Sequence, residues 1–427
     1  YSGYLAADEA PEEPEAGSLW LDTGGDETAL RQYGEDGWTA VDDVCVRMNA
    51  AGIGIGFTAG DGVAVSGCRE TALNGSFPLR SVEDDYVVVT ALPRSLSSQS
   101  DPVTVERSVP DMDYVVESGN RLWGCKYGIV NGQAVNAIYA SKLGDFKNWN
   151  CFAGLSTDSY AASRGSDGAF TGAADYLGNP LFFKENCMER VYPSASGAHQ
   201  IVTVQCAGVK SGSSGSLRVV DGKLYYHSQG GVCVFDGSMP VHVSQALGEM
   251  RYHNAVAGAL DGSYYLSAAD ENGAWHLLVL DTRQGLWYRE DGVEAVGFAP
   301  WGGDLYCLTA AGQLLAMKGS GENREGPVQW LAETGELGLD APESRYLVRL
   351  SLRLLPEADS TVRAWVSYDE GGSWQPAGSL CGVGRLRACT MHVRPRRCRQ
   401  LRLRLTGQGG CRIYSLSAVY EKGSDGP

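Results

Sequence analysis

One phrase recurs three times between residues 212 and 308 of this 427-residue chain. Each copy begins with a Gly-containing turn and continues as a short apolar and aromatic run, the pattern of a hairpin turn followed by a β-strand. With Leu224, Tyr264 and Leu305 as equivalent positions, the copies are 40 and 41 residues apart. A β-rich unit repeated about every 40–45 residues is typical of β-propeller blades. The copies are Asp221-Gly-Lys-Leu-Tyr-Tyr226, Asp261-Gly-Ser-Tyr-Tyr-Leu266 and Gly303-Asp-Leu-Tyr-Cys-Leu308.

Two earlier phrases extend the repeat towards the N-terminus. The segments Asn120-Arg-Leu-Trp123 and Gly178-Asn-Pro-Leu-Phe-Phe183 have the same turn followed by an apolar run. We expect Leu122 and Leu181 to occupy the position that Leu224 occupies in the third phrase. The interval between Leu122 and Leu181 is the longest, which predicts an inserted loop in that repeat. Five repeats therefore fall between residues 113 and 330.

The N-terminal strands resemble part of a later repeat. The segment Ser18-Leu-Trp-Leu-Asp22 is similar to Leu277-Leu-Val-Leu-Asp281, and both are followed by further short strand patterns. A propeller can remove its sheet edges by pairing strands from both ends of the chain. We therefore count the N-terminal strands as a further blade, which predicts an all-β fold with a propeller of about six blades.

Two regions lack the repeat and predict separate β domains. Residues 46–108 contain short strand patterns between turn residues, which indicates a small inserted β domain. Segments such as Tyr346–Leu354 and Gln400–Leu405 alternate apolar and polar residues, so one face is buried and one is wet. We expect an acidic arm and blade-completing strands (1–45), an inserted β domain (46–108), a propeller (109–335) and a C-terminal antiparallel β-sandwich (336–427).

Charge and cysteine usage narrow the possible partners and compartment. The formal net charge of -16 argues against general binding to nucleic acids or anionic membranes. No run of 18 apolar residues is present, so no membrane span is expected. The twelve cysteines contain no C-x-x-C pair, and Cys233 and Cys307 lie inside apolar strand patterns. Buried free thiols and assembly in a reducing cytoplasm are therefore expected.

The sequence contains no motif for a catalytic, cofactor or metal site. Metalloprotease, nucleophile-elbow, phosphate-loop and dinucleotide-binding patterns do not occur. The six histidines are isolated, and Asp111 with Asp113 is only a weak candidate for calcium binding through loop oxygens. We therefore predict no catalytic residues, no cofactor and no enzymatic activity.

One turn pattern in the C-terminal region matches the S-x-D-x-G-x-x-W Asp-box of sialidase-type propellers. In such a turn the Asp side chain caps backbone donors and the Trp packs beneath it, which stabilises a hairpin. We expect a structural hairpin here, because the gathered arginines, Tyr nucleophile and acidic partners of a sialidase are not evident. The residues are Ser367, Asp369, Gly371 and Trp374.

A concentration of arginines follows this turn in an otherwise acidic chain. One interpretation is a docking patch for an acidic partner or for DNA phosphates. The other interpretation places the arginines on the solvent-exposed face of the sandwich, because Arg402 and Arg404 alternate with leucines. The sequence leaves both open. The arginines are Arg385, Arg387, Arg394, Arg396, Arg397, Arg399, Arg402 and Arg404.

Several phrases resemble structural proteins of tailed bacteriophages and prophages, nearest to the packaged-DNA stabilisation or tail accessory proteins. The resemblance implies a non-enzymatic virion component of the tail or head-to-tail connector, docking portal, adaptor or tail proteins. It also implies a ring-shaped homo-oligomer assembled in the bacterial host cytoplasm, with DNA contact less favoured. The phrases include Asn120-Arg-Leu-Trp-Gly124, Ile138-Tyr-Ala-Ser-Lys-Leu-Gly-Asp-Phe-Lys-Asn-Trp149, Thr157-Asp-Ser-Tyr160 and Tyr225-Tyr-His-Ser228.

An alternative function comes from the aromatic residues of the repeats. Trp275, Trp287 and Trp301 would stack on sugars if their rings were exposed, whereas packing within blades would give them a structural role. A carbohydrate-binding or sialidase-like propeller used in host attachment is therefore the second hypothesis.

Overall fold

The computed structural model describes residues 4–25, 29–41, 44–91, 102–152, 154–290, 292–317, 327–338, 345–368, 373–393, 397–398 and 400–422. The chain divides into two compact units, Tyr1–Met317 and Lys318–Pro427. The described residues form strands and three short 3-10 turns (Thr71–Leu73, Ser214–Ser216 and Gln245–Leu247), with no α-helix among them. The all-β fold is therefore confirmed, and the described ranges include no helix that could span a membrane.

The first unit begins with a small four-stranded sheet. The acidic stretch 8–15 connects its first two strands, which run parallel, and the remaining neighbours are antiparallel. Leu19, Leu21 and Leu30 form a separate small core in this sheet. Its strands are β1 (Tyr4–Ala7), β2 (Leu19–Asp22), β3 (Ala29–Gly34) and β4 (Gly37–Ala40).

A five-stranded antiparallel sheet follows, in the spatial order β5-β8-β7-β6-β9. Alternate valines such as Val63, Val65, Val87 and Val89 are buried on one face, because side chains in a strand point to opposite faces in turn. The strands are β5 (Cys45–Asn49), β6 (Gly62–Ser66), β7 (Gly75–Glu83), β8 (Tyr86–Thr90) and β9 (Thr104–Arg107).

Five antiparallel meanders then follow in chain order, each with its strands in sequence order. The first is β10 (Tyr114–Ser118), β11 (Arg121–Val130), β12 (Gln133–Ala140) and β13 (Tyr160–Ser163). The second is β14 (Gly172–Tyr176), β15 (Asn179–Phe183), β16 (Cys187–Tyr192) and β17 (Gln200–Gln205). The third is β18 (Arg218–Val220), β19 (Lys223–Ser228), β20 (Gly231–Phe235) and β21 (Val241–His242).

The last two meanders complete the series. The fourth is β22 (Tyr252–Leu260), β23 (Ser263–Asp270), β24 (Trp275–Asp281) and β25 (Leu286–Arg289). The fifth has three described strands, β26 (Ala295–Trp301), β27 (Asp304–Thr309) and β28 (Leu314–Ala316). First strands of neighbouring sheets contact one another, as β10 does β14 and as β22 does both β18 and β26.

The turn between the first and second strand is the feature that all five meanders share. It has two residues, and both have positive φ, as a type I′ hairpin turn requires. Its backbone twist matches that of the flanking strands, so Asn, Asp and Gly are favoured there. The pairs are Gly119 (61°) and Asn120 (60°), Leu177 (53°) and Gly178 (75°), Asp221 (46°) and Gly222 (78°), Asp261 (50°) and Gly262 (78°), and Gly302 (58°) and Gly303 (81°).

The repeated phrases form the second strands of the meanders, as the sequence predicts. Leu224, Tyr264 and Leu305 are each the second residue of their strand and are at most 1% exposed. In the second meander the expected equivalence is wrong by one residue. Pro180, not Leu181, is the second residue of β15, because the turn there ends one residue earlier relative to the apolar run.

The second unit contains two sheets that share one hydrophobic core. Leucines 350, 352 and 354 of β31 contribute to it together with Val362 and Val366 of β32 and leucines 401, 403 and 405 of β36. In the first sheet the order is β29-β36-β32-β33 with β30 also on β36, and in the second β31 pairs with β34, β35 and β37. The strands are β29 (Gln329–Glu333), β30 (Leu337–Gly338), β31 (Arg345–Pro356), β32 (Thr361–Tyr368), β33 (Gln375–Cys381), β34 (Arg387–His392), β35 (Arg397–Cys398), β36 (Gln400–Gln408) and β37 (Cys411–Lys422).

Leu177 is the one turn residue in this set that is neither Gly, Asn nor Asp, and its side chain is 76% exposed. A left-handed conformation costs an ordinary L-residue about 1–2 kcal/mol. We predict that Leu177→Asn raises the free energy of unfolding by about 1 kcal/mol, measured by urea denaturation. Leu177→Ala is the control, since it removes the same exposed side chain but lacks the amide with which Asn hydrogen-bonds the local backbone in this conformation. An equal gain in both variants would contradict this explanation.

Candidate functional site

A cleft of about 820 Å³ lies between the third and fourth meanders of the first unit. One wall is the β19–β20 turn with Gln229 and Gly230, and the other is the connection from β21 to β22, residues 243–251. A Cβ on Gly230 would come within 2.8 Å of the His242 ring, so glycine allows the two walls to approach closely. The close approach of the two walls therefore requires a glycine at position 230 of the turn.

His227 is the most buried polar residue of the cleft wall, with 2% of its surface exposed. Its Nδ1 lies 3.1 Å from Ser213 Oγ, and that oxygen already accepts a hydrogen bond from Ala255 N. The Ser213 hydroxyl proton is thus available to donate to Nδ1, which assigns the imidazole hydrogen to Nε2. His227 then offers an N–H donor to a ligand in the cleft.

Burial determines the charge of this imidazole. Desolvation, with the nearby charges of Lys210 and His253 adding to it, lowers the pKa of His227 to about 4. His227 is therefore neutral at pH 7, and the cleft contains no cationic imidazole at this position.

The connection from β21 to β22 is held to both the third and the fourth meander by side-chain hydrogen bonds. Ser244 Oγ accepts a bond of 2.8 Å from Val232 N, and Cys233 Sγ lies 3.4 Å from His242 Nδ1. Trp287 Nε1 donates to Val243 O at 2.7 Å. These contacts place His242 and Ser244 in the wall and keep the connection beside the turn.

Tyr252, the first residue of β22, closes the far side of the cleft and is 8% exposed. Lys210 Nζ donates to its backbone oxygen at 2.8 Å, and its ring meets the His276 ring edge-on at 5.8 Å. His276 in turn lies between Asp270 (2.9 Å) and Arg289 (3.3 Å). These contacts fix the position of Tyr252 on the side that faces away from the cleft.

The rim of the cleft carries exposed side chains that supply hydrogen-bond donors and acceptors. Gln229, Gln245, Glu249 and Arg251 are exposed and line the cleft, and Gln245 Nε2 donates to His242 O at 2.7 Å. Leu247 and Met250 add apolar surface. The arrangement can therefore bind a ligand that presents both hydrogen-bond donors and acceptors together with apolar faces.

The arginine-rich patch is only partly within the described residues. Arg385 and Arg387 are exposed, whereas Arg394, Arg396 and Arg399 and the side chain of Arg397 lie outside the description. Arg402 and Arg404 both pair with Glu333 of β29, Arg404 at 2.8 Å. They alternate with Leu401, Leu403 and Leu405, which are at most 6% exposed. These two arginines thus have an internal partner, and the docking role stays a prediction.

The Asp-box residues are also partly described. Ser367 is buried and Trp374 is half-buried, whereas Asp369 and Gly371 lie outside the described residues. The Trp374 ring stacks against Arg404, whose Cζ is 4.0 Å from the ring centroid, and against Arg402 at 5.4 Å. The hairpin expected from the pattern stays a prediction, but its Trp packs on the arginines of the neighbouring strand.

The other sequence candidates lie apart from the cleft lining. Trp275 and Trp287 are half-buried, and Trp301 is 77% exposed in the fifth meander. Lys126 Nζ lies 2.8 Å from Asp111 and 2.9 Å from Asp113, so an ammonium group occupies the candidate calcium position. Among the described residues, no cluster of three or more His, Cys, Asp or Glu is placed to hold a metal ion.

Sequence reasoning did not identify His227 or the residues 242–252 that form the cleft. Their only signal was His227 itself, a polar residue inside the apolar strand Lys223–Ser228. The remaining residues lie in a connection without a motif, and only the packing of two meanders brings them together.

Comparisons with known proteins give no sequence match: no protein-family model and no curated protein matches the chain. Among solved structures, a glycoside hydrolase matches with a TM-score of 0.27 at 12% identity, covering 70% of this chain and 96% of that one. The exo-β-1,3-galactanase of Phanerochaete chrysosporium with galactose gives 0.21 at 11%, covering 70% and 95%. A GH43 enzyme engineered for endo-xylanase and exo-arabinofuranosidase activity gives 0.24 at 9%, covering 72% and 98%.

These comparisons contradict the phage assignment. The three structures named above are glycoside hydrolases and none of them is a virion protein, so the expected tail or connector function and the expected lack of enzymatic activity are wrong, whereas the expected virion location stays a prediction. With TM-scores below 0.5, the likeness transfers no activity and no residue role to this chain. A homo-oligomer stays a prediction.

The buried imidazole predicts how stability changes with pH. Between pH 6.5 and 4 the unfolded chain takes up a proton at His227 that the folded chain does not, so stability present above pH 6.5 is lost on acidification. We predict that wild type loses up to about 3 kcal/mol of unfolding free energy more than His227→Asn between pH 7 and pH 4. Asn keeps an acceptor for Ser213 but does not titrate. Urea denaturation at both pH values measures the difference, and equal losses would refute the assignment.

Proposed function

We propose that the chain is a carbohydrate-binding β-propeller and that its glycan site is the cleft between the third and fourth meanders. The five meanders are its blades, and the contacts between their first strands support this arrangement. The expected sixth blade stays a prediction, because Leu19, Leu21 and Leu30 form a core separate from those of the meanders. The second unit is proposed as a β-sandwich, supported by the core that its two sheets share.

The observation that carries the glycan proposal is the mixture of groups in the cleft. A sugar hydroxyl both donates and accepts hydrogen bonds, and its ring presents apolar C–H faces. Gln229 and Gln245 carry amides with both donor and acceptor atoms, and Tyr252 with Met250 supplies apolar surface beside them. A neutral sugar can use the donors, the acceptors and the apolar contact of this groove together.

Charge and size agree with a neutral oligosaccharide. The formal charges of Glu249 and Arg251 cancel, and burial keeps His227 uncharged at pH 7. The cleft volume of about 820 Å³ lies in the upper part of the range for ligand sites, roughly 300–1,000 Å³. An uncharged ligand of more than one sugar ring is therefore favoured over a charged metabolite.

Cleavage of a bound glycan would need more than the lining residues supply. Glycoside hydrolysis ordinarily uses two carboxyl groups on either side of the scissile bond. Among the described lining residues, Glu249 is the single carboxylate. The described lining therefore supports glycan binding, and hydrolysis of each glycan that binds is measured in the same experiment.

The test is a glycan array followed by titration calorimetry and a reducing-sugar assay with each glycan that binds. We predict binding of neutral oligosaccharides and a loss of affinity of about tenfold or more in the double variant Gln229→Ala/Arg251→Ala, since two rim hydrogen bonds are removed. Both side chains are exposed, so their truncation leaves the fold intact.

The matched control is Arg283→Ala/Gln284→Ala, which removes the same two residue types from an exposed turn at the opposite end of the fourth meander. This variant is expected to bind like wild type, because the Arg283 pair with Asp221 is exposed and weak. Absence of any glycan binding, or equal losses in the two double variants, would overturn the proposal.

A further inference from the structure

A second cavity, of about 270 Å³, opens at the opposite end of the sheets, between the first and second meanders. Its wall includes the buried residues Ser118, Arg121 and Trp123, together with His199 from the β16–β17 turn. Leu143 lines it and is 44% exposed, so the cavity reaches solvent. None of these residues belongs to the cleft described above.

Two buried polar atoms of this wall lack a hydrogen-bond partner among the residues that the structure describes. They are the hydroxyl oxygen of Ser118, a residue 4% exposed, and the indole Nε1 of Trp123, a residue 0% exposed. An unsatisfied buried polar group destabilises the folded state, so such groups are uncommon in folded proteins. Both residues line the same cavity, so a ligand bound there is the candidate partner for these two groups.

Arg121 places a positive charge in the same wall. Its guanidinium donates to the backbone oxygens of Ser141, Asp158 and Ser156 at 2.6–3.0 Å. These bonds hold the side chain in place and use three of its five N–H groups. Burial lowers the pKa of Arg121 and the charge of Asp158 opposes that shift, but a guanidinium stays protonated in proteins.

His199 adds a further donor. Its Nδ1 accepts a hydrogen bond of 3.0 Å from Ser194 N, and its ring meets the Trp123 ring edge-on at 5.1 Å. Burial, followed by the charge of Arg121, lowers the pKa of His199, so the ring is neutral at pH 7 with its hydrogen on Nε2. The indole, the guanidinium and this imidazole present N–H groups, and none of the residues lining the cavity carries a carboxylate.

We propose that this cavity is a binding site for a small carboxylate, held by the Ser118 hydroxyl and the Trp123 indole N–H above the fixed Arg121 guanidinium. A carboxylate has only acceptor oxygens, which matches a wall of donors beside a positive charge. The volume corresponds to roughly nine water molecules, which admits a ligand of monosaccharide size and excludes larger ones. This proposal is independent of the glycan site in the larger cleft.

The test follows the indole N–H signal of Trp123 by NMR, assigned by its loss in Trp123→Phe among the ten tryptophans. Titration with D-glucuronate or acetate is expected to shift this signal, whereas D-glucose, which matches glucuronate but lacks the carboxylate, is expected to leave it unchanged. In Ser118→Ala the affinity is expected to fall about tenfold. The fold is retained, because the hydroxyl makes no hydrogen bond within the protein.

Ser166→Ala is the matched control, since the Ser166 hydroxyl is also buried without a partner but does not line this cavity. It is expected to bind glucuronate like wild type. No shift with either carboxylate, an equal shift with glucose, or equal affinities of wild type and Ser118→Ala would each overturn the proposal.

Discussion

The two-residue turn between the first and second strand is the constraint on which the five meanders depend. Both residues must adopt positive φ, and the type I′ geometry this produces follows the twist of the strands. A hairpin turn fixes strand register, and a slip of one residue would move each side chain to the other face. The burial of Leu224, Tyr264 and Leu305, and with it the contact between neighbouring sheets, follows from this local requirement.

The sequence predicted these strands because Asp-Gly pairs precede apolar runs at Asp221 and Asp261. The predicted equivalent position in the second meander was wrong by one residue, since Leu177 carries the turn conformation without the usual residue type. The cleft was not predictable, because His227 and residues 242–252 meet only once the third meander has folded and the connection to the fourth packs beside it. Periodicity reports local structure, whereas this site is formed by long-range contacts.

The resemblance to phage proteins rested on phrases that have structural explanations. Arg121 donates to three backbone oxygens, and Trp123 is fully buried between the first and second meanders. Arg121 and Trp123 thus connect a hairpin to the long connection after β12 and to the next meander. Such residues carry information about fold and little about function. The arginines of β36 are similar, since Glu333 and Trp374 account for Arg402 and Arg404 within the second unit.

We propose that the ligand binds in the cleft beside His227. Exposed aromatic residues such as Trp301 lie outside this cleft and take no part in binding. Hydroxyl-radical footprinting with and without an array-selected oligosaccharide tests this most directly, because Met250 is half-exposed in the cleft and Trp301 is 77% exposed outside it. We expect the glycan to protect Met250 and to leave the oxidation of Trp301 unchanged. Protection of Trp301 with no change at Met250 would contradict it.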